Sequence, residues 1–501
     1  MHGQKRAEYK ARFLDPEISA KLGSKAQQWN HLSDKILKLR RRLFSPPPPL
    51  SDNATADAGG TNDGDNNSPS PDVLLALTEK MLSVNPDPSH LWNIRREMLI
   101  FLLYNNKTTD EQESDNNHAS GEKATSTLDL EPELKLTAHC LQRNPKSYAT
   151  WFHRKWALVY YIMSGKTKEE HWTKMKSILQ SELELCAQFL QLDERNFHCW
   201  NFRRFVVGLL GSCGGDDSST SEEGHDCTIS SGDENMYSGT WSAWMNNIEE
   251  ENKQVWMGPQ ISPNALKAVG MNNNNCVLDY RDAMKSTTPL SRQELEKIIM
   301  NEWDFSTAKI QDNFSNGSAF HYRSKLLPLV LEFQASGSTS DDNQIYEAMS
   351  LVRDEWEGVL LDAIFTEPDD QTIWFYHRFI VTWARGKVPD DCDDAEMTEE
   401  FETLLYDMID SIQELIDVEK EDSFEGAVQE RHESKGAKCK WAYLGMHLAL
   451  STLLEFKSIH SEVEDEDQIE LRGRAKECLE ELIVIDPDRR ERYQNLLSEL
   501  C

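Results

Sequence analysis

The chain is short of positive charge, of long apolar runs and of paired cysteines, and each shortage removes a class of function. Its 53 Lys and Arg face 86 Asp and Glu, a formal net charge of −33. A charge of that sign repels nucleic acid and anionic membranes, and it suits solubility or a basic partner. No apolar stretch approaches the roughly 20 residues that a spanning helix needs, so no membrane insertion is expected. The opening Met1-His-Gly-Gln-Lys-Arg6 carries no apolar core and does not read as a secretory signal. The ten cysteines are scattered singly, with no Cys-x-x-Cys pair. Thiols such as Cys186 and Cys199, set among apolar residues of helical period, read as small core side chains in a reducing, cytoplasmic setting. The Asn-x-Ser/Thr triplets beginning at Asn53, Asn66, Asn106, Asn313 and Asn316 are then chance matches, and Cys501 belongs to no C-a-a-X lipidation box.

A self-sufficient active site is missing too. There is no Walker A loop, no Gly-x-Gly-x-x-Gly, no His-Glu-x-x-His and no Gly-x-Ser-x-Gly elbow. The adjacent pairs His139-Cys140 and His198-Cys199 lack two further ligands at metal spacing, so no metal is expected in this chain. The acidic run Glu464 to Asp467 reads as solvated surface.

What the sequence does contain is one phrase written five times: an aromatic, two residues, then Arg or His, usually with a basic residue next. The copies are Trp92-Asn-Ile-Arg95-Arg96, Trp151-Phe-His-Arg154-Lys155, Trp200-Asn-Phe-Arg203-Arg204, Phe320-His-Tyr-Arg323-Ser324 and Trp374-Phe-Tyr-His377-Arg378. Four residues before each aromatic stand Pro88, Ser147, Asn196, Asn316 and Asp370, all but the proline good helix N-caps. Each aromatic therefore falls one turn inside a new helix. Pro86, Pro145 and Pro368 share the offset six before the aromatic, where proline ends the preceding helix. Upstream lie further amphipathic segments, with Val73, Leu77, Met81 and Val84 on one face, Leu183, Cys186, Ala187 and Leu190 on another, and Val359, Leu360 and Ala363 before Phe365.

The unit is thus helix, tight turn, helix, and stacked units share a core. The fold class is all-α, an α-solenoid of helical hairpins. The aromatics and basic residues (Trp92, Arg95, Trp151, Arg154, Trp200, Arg203, Phe320, Arg323, Trp374 and Arg378) read as packing groups. The ring wedges between hairpins, and the Arg or His lies over an adjacent turn to bond its carbonyls. His153, His198, His321 and His377 take the same structural reading. The expected organisation is an N-terminal helical segment 1–44, a disordered linker 45–71, repeats one to three over 72–210 with a mobile insert 105–127, an irregular insert 211–289, repeats four and five over 290–385, and C-terminal helices 398–501 with an eroded copy near Trp441. The last helices are expected over 398–418, 437–457 and 468–500.

One lysine stands apart. Lys146 occupies the turn of the second copy, Asn144-Pro-Lys-Ser-Tyr148. A lysine at a hairpin mouth, beside a helix N-terminus and a tyrosine hydroxyl, suits a diphosphate. A solvated surface lysine is the plain alternative, and the turn alone does not decide between them.

The run Arg143-Asn-Pro-Lys-Ser-Tyr-Ala-Thr-Trp151-Phe-His-Arg154, with Glu184 to Trp200, Asn313-Phe-Ser-Asn316 and Trp374 to Arg378, resembles the prenyltransferase alpha-subunit repeat. Within that family it is most similar to the type II branch, the alpha subunits of Rab geranylgeranyltransferase, as is the Met1-His2-Gly3 start. The resemblance implies a right-handed α-α superhelix wrapped around a beta subunit. That partner would hold the zinc and the geranylgeranyl diphosphate, while a Rab escort protein presents the Rab GTPase substrates. It implies that Lys146 and Tyr148 stabilise charge on the leaving diphosphate, and that His2 approaches the partner's zinc. The family further implies a subunit inactive alone. Two alternatives share parts of the pattern: the alpha subunit of farnesyltransferase and the type I enzyme, and a non-enzymatic helical-repeat scaffold.

Overall fold

The computed structural model describes residues 15–44, 70–113, 129–164, 169–212, 291–334, 341–390, 392, 394–429, 439–460 and 466–500. Among the described residues every regular element is a helix. In chain order these are α1 (Pro16–Phe44), α2 (Pro71–Leu82), α3 (Ser89–Glu113), α4 (Glu131–Arg143), α5 (Tyr148–Ser164), α6 (Glu169–Leu192) and α7 (Phe197–Ser212). Then come α8 (Arg292–Asp312), α9 (Gly317–Gln334), α10 (Asp341–Glu355), a π-helical turn (Trp356–Leu360), α11 (Leu361–Thr366) and α12 (Gln371–Arg385). The last are α13 (Ala395–Gln429), α14 (Lys440–His460), α15 (Glu466–Ile485), a 3-10 turn (Pro487–Arg489) and α16 (Arg490–Glu499). His2, most of the expected linker and the irregular insert with Trp241, Trp244 and Trp256 lie outside the described residues.

Three details of helix extent and facing differ from the sequence expectation. Helix α3 runs on to Glu113, into the stretch 105–127 expected as a loop. Extending a formed helix needs no new nucleus, and no Pro or Gly occurs between Asn105 and Ser120 to stop it. The helix expected over 468–500 is broken at Asp486, where Pro487 opens a 3-10 turn before α16. The face assigned to α2 is rotated: Leu74, Thr78 and Met81 are buried, while Val84 lies 63% exposed in the turn.

The chain divides into two compact units. The first comprises α1 to α5, α6 as far as Phe189 and α7 from Asn201; the second comprises the intervening 190–200 and the helices from α8 onward. In the first unit, each second helix begins three residues before its aromatic, as the caps require. The aromatic is buried and its indole is anchored: Trp92 Nε1 donates to the Pro86 carbonyl and Trp151 Nε1 to the Pro145 carbonyl, both at 2.8 Å. The ring of one copy then meets the third tetrad residue of the next, Trp92 against His153 at 4.5 Å and Trp151 against Phe202 at 5.0 Å.

The tetrad arginines Arg95 and Arg154 do not lie over an adjacent turn as expected; they bond carbonyls inside the first helix of their own copy, and each grips a carboxylate as well. Arg95 grips the Glu133 carboxylate through Nε and Nη2, both at 2.7 Å, and donates Nη1 to the Leu75 carbonyl at 2.8 Å. Arg154 repeats this on Glu182 at 2.5 and 2.6 Å, on the Leu134 carbonyl at 2.8 Å and on the Thr137 hydroxyl at 2.6 Å. The carboxylate belongs to the first helix of the following copy, and the carbonyl to the first helix of the arginine's own copy. Each arginine therefore ties one hairpin together and fastens it to the next. Removing one member of such a buried pair typically costs 3–5 kcal/mol, because a charge is left stranded.

His153 completes the first of these clamps. Its Nε2 lies 2.9 Å from Glu133 and its Nδ1 lies 3.3 Å from Arg96 Nη1. Arg96 can only donate, so Nδ1 accepts and the proton sits on Nε2, which makes His153 neutral. Burial lowers the His153 pKa to about 4 despite the pull of Glu133. Burial also pushes the Glu133 carboxyl up, but hydrogen bonds from His153 and Arg95 outweigh it and bring it down to about 2.

The second unit uses the same grammar. Trp200 Nε1 donates to the Glu194 carbonyl at 2.8 Å and Trp374 Nε1 to the Pro368 carbonyl at 2.7 Å. Arg323 grips Glu355 at 2.6 and 2.5 Å, and the Tyr376 hydroxyl donates to the same carboxylate at 2.6 Å. Tyr322 likewise donates to Glu302 at 2.7 Å. The fifth copy departs from this pattern. The π-helical turn after Glu355 adds a residue to the interval, and His377 takes the place of the clamp arginine. Its ring is buried between Trp356 and Trp374, with both nitrogens unpartnered. Arg378, expected to be a packing group, is exposed. Trp441 is half-buried and meets Phe375 edge-on at 5.7 Å, while Gly445 of α14 packs directly on the Trp374 ring.

Candidate functional site

The turn between α4 and α5 holds the charged candidate. Helix α4 stops at Asn144 because the next residue is proline, and the chain turns through Pro145 and Lys146 before α5 starts at Tyr148. The turn is pinned from both sides. Trp151 Nε1 holds the Pro145 carbonyl at 2.8 Å, and the Ser147 hydroxyl donates to the Pro86 carbonyl of the preceding turn at 3.3 Å. Thr150, buried one turn into α5, bonds Ser147 Oγ at 2.9 Å. Ser147 thus spends its side chain on the neighbouring turn, whereas Asn196 and Asp370 cap their own helices, accepting N–H groups at 3.1 Å and 2.7 Å.

On this rigid turn Lys146 and Tyr148 are both exposed, Tyr148 by 69%. A tyrosine ring so exposed at the first position of a helix contributes little to the core. The pair also sits at the N-terminal end of α5, where the first backbone N–H groups of a helix attract anions. Lys146 and Tyr148 are therefore brought together at one edge, while the tetrad residues form a separate buried set. Trp92, Arg95, Trp151, Arg154, Trp200, Arg203, Phe320, Arg323 and Trp374 are all at most 5% exposed. In the second unit the same turn edge exposes Leu192, Phe197 and Phe375, by 85%, 56% and 56%.

The sequence reading missed the clamp carboxylates. The clamp carboxylates Glu133 and Glu182, and the buried Glu302 that accepts from Tyr322, each stand 21 residues before the next tetrad arginine, at Arg154, Arg203 and Arg323. That interval was a usable signal, because it spans only one hairpin and no insert. Among the described residues no three His, Cys, Asp or Glu are placed to hold a metal ion. None of the described helices is long and apolar enough to cross a membrane.

Comparison with known proteins matches this geometry. The family model described as protein prenyltransferase alpha subunit repeat matches residues 130–161 and 179–210. These ranges fall on α4 with α5 and on the later part of α6 with α7, two of the hairpins described above. Two of the chain's hairpins match the prenyltransferase alpha-subunit repeat. The chain is 29% identical over 310 residues to the geranylgeranyl transferase type-2 subunit alpha of Homo sapiens, covering 62% of this chain and 33% of that protein. Proteins of the same name from Candida albicans and Saccharomyces cerevisiae are 22% and 23% identical, covering 85% of both chains in each case. The chain therefore spans about a third of the mammalian relatives it matches and most of the length of the two fungal ones.

Proposed function

We propose that this chain is the alpha subunit of a type 2 geranylgeranyl transferase, acting with a beta subunit on Rab GTPases presented by an escort protein. What carries the proposal is the similarity to fungal proteins of that name over 85% of both chains, joined to an exposed Lys146 and Tyr148 on a pinned turn. The reaction transfers geranylgeranyl from its diphosphate to a cysteine thiolate: a C–S bond forms, the C–O bond to diphosphate breaks, and diphosphate leaves. Zinc, held in the beta subunit, would supply the thiolate by lowering the cysteine pKa.

This chain contributes charge and position. The Lys146 ammonium meets the negative charge that grows on the leaving diphosphate, and the Tyr148 hydroxyl donates a neutral hydrogen bond beside it. Such groups act at the transition state, where charge is greatest, and so affect kcat more than binding. The start of α5 adds the field of its free N–H groups. His2 would approach the partner's zinc before substrate arrives.

The test is Lys146→Ala in the co-expressed heterodimer with escort protein and a Rab substrate. The expected result is intact heterodimer and a kcat lowered on the order of 100-fold. An unchanged kcat would return Lys146 to the solvated surface and remove this chain from the chemistry.

A further inference from the structure

We infer that Asn144 is a positioning residue for Lys146, acting as one half of a two-residue brace with Asp87; this rests on the role proposed for Lys146. Every hydrogen-bonding group of Asn144 except one amide hydrogen is engaged in fixing the turn. Its backbone N–H donates to the Cys140 carbonyl at 2.9 Å, and its carbonyl accepts from Ser147 N at 3.2 Å. Its side-chain Oδ1 accepts the Lys146 backbone N–H at 3.2 Å. Its Nδ2 donates to Asp87 Oδ1 in the preceding turn at 2.8 Å. The side chain therefore sets the backbone on which Lys146 stands and references it to the neighbouring hairpin.

The device recurs along the chain. Asn85 Oδ1 accepts the Asp87 N–H at 3.2 Å, and Asn313 Oδ1 accepts the Ser315 N–H at 2.8 Å. Asn313 also reaches back through Nδ2 to Glu194 of the turn before it. In each case an asparagine seven residues before the aromatic holds the residue five before it, and at Asn144 and Asn313 an acid of the previous turn receives the amide. Only in the second copy is the held residue a lysine; in the first and fourth it is Asp87 and Ser315. A general turn lock of the repeat thus aims one particular side chain.

The exposure of Lys146 makes the brace matter. A long exposed side chain has many rotamers, so its placement against a bound diphosphate depends on a fixed backbone origin. A displacement of about 1 Å at a reacting group is enough to cost a factor on the order of 100 in rate. Loss of the brace should be felt in kcat through Lys146, with the KM for the protein substrate unchanged.

The experiment is a double-mutant cycle in the assembled heterodimer with escort protein. Asn144→Ala is expected to lower kcat about tenfold, and Asn144→Ala with Lys146→Ala to be no slower than Lys146→Ala alone, since the first acts through the second. The exchanged pair Asn144→Asp with Asp87→Asn keeps the acceptor for the Lys146 N–H and restores a donor facing an acceptor, so it should recover most of the rate. Asn313→Ala, an equivalent loss in the second unit, should leave kcat unchanged. Wild-type kcat in Asn144→Ala beside an impaired Lys146→Ala overturns the inference. So do losses that multiply in the double variant. If Lys146→Ala itself is unimpaired, the role of Lys146 fails, and the brace has nothing to position.

Discussion

Replacing Arg154 with Met would test how the hairpins are joined. Arg154 and Glu182 are each 3% exposed, and two hydrogen bonds of 2.5 and 2.6 Å link them. Without the guanidinium, Glu182 keeps a buried charge and no cation, a loss of ~3–5 kcal/mol. Glu182→Met strands the arginine at a similar cost. The double variant fills the space with two apolar chains and leaves no charge behind. Its main deficit is the Leu134 carbonyl, which loses one bond of about 1 kcal/mol. The Thr137 hydroxyl still donates to the Glu133 carbonyl at 2.7 Å. The double should therefore be more stable than either single, by about 2–4 kcal/mol. Urea unfolding, with hydrogen exchange to localise the loss to α4, α5 and α6, provides the assay. With an m-value near ~3 kcal/mol/M, a single variant should unfold at least about 1 M earlier than wild type. If the two single losses simply add in the double variant, the clamp is not what joins these hairpins.

His377 gives a pH-dependent prediction. Burial lowers its pKa to about 4 from an ordinary 6.5, so the unfolded chain takes up the proton first. Its contribution is complete above pH 6.5 and is lost as the pH falls toward 4, on the order of 3 kcal/mol. His377→Phe should match or exceed wild-type stability at pH 7 and show a shallower decline between pH 6.5 and 4; an unchanged slope in urea midpoints would contradict this. Gly445→Ala would place a methyl group inside the Trp374 ring, which the Pro368 carbonyl holds by its Nε1 at 2.7 Å. It should destabilise by ~1–3 kcal/mol in thermal or urea unfolding, and a neutral result would mean the ring is free to move. Trp151→Phe removes the indole bond to the Pro145 carbonyl and should cost about 1 kcal/mol. The natural Phe320 shows that the ring alone can occupy the position, so a loss far above that figure would point to a second role for Trp151.

The helical hairpins were legible because each carries local punctuation: a proline or Asx turn, a cap and an aromatic at fixed offsets. The first helical turn depends only on those neighbours, so α3, α5, α7, α9 and α12 all start where the caps place them. The clamp was less legible because its members are far apart in sequence. Arg95 meets Glu133 across an insert, and nothing local to either residue marks the pairing. The fifth copy misled for another reason. Its added residue in the π-helical turn shifts the interval from Glu355, so His377 is buried where the clamp arginine stands in other copies, and Arg378, expected as a packing group, is exposed. Lys146 was visible as a residue type in a turn, but its rigid mounting by Asn144, Ser147 and Trp151 emerged only in three dimensions.

The most direct measurement is geranylgeranyl transfer to a Rab GTPase with escort protein, made on this chain purified alone and on its complex with the beta subunit of a type 2 geranylgeranyl transferase. The chain alone should transfer nothing, and the complex should form and turn over. Transfer by the isolated chain, or failure to bind that beta subunit, would contradict its assignment as the alpha subunit.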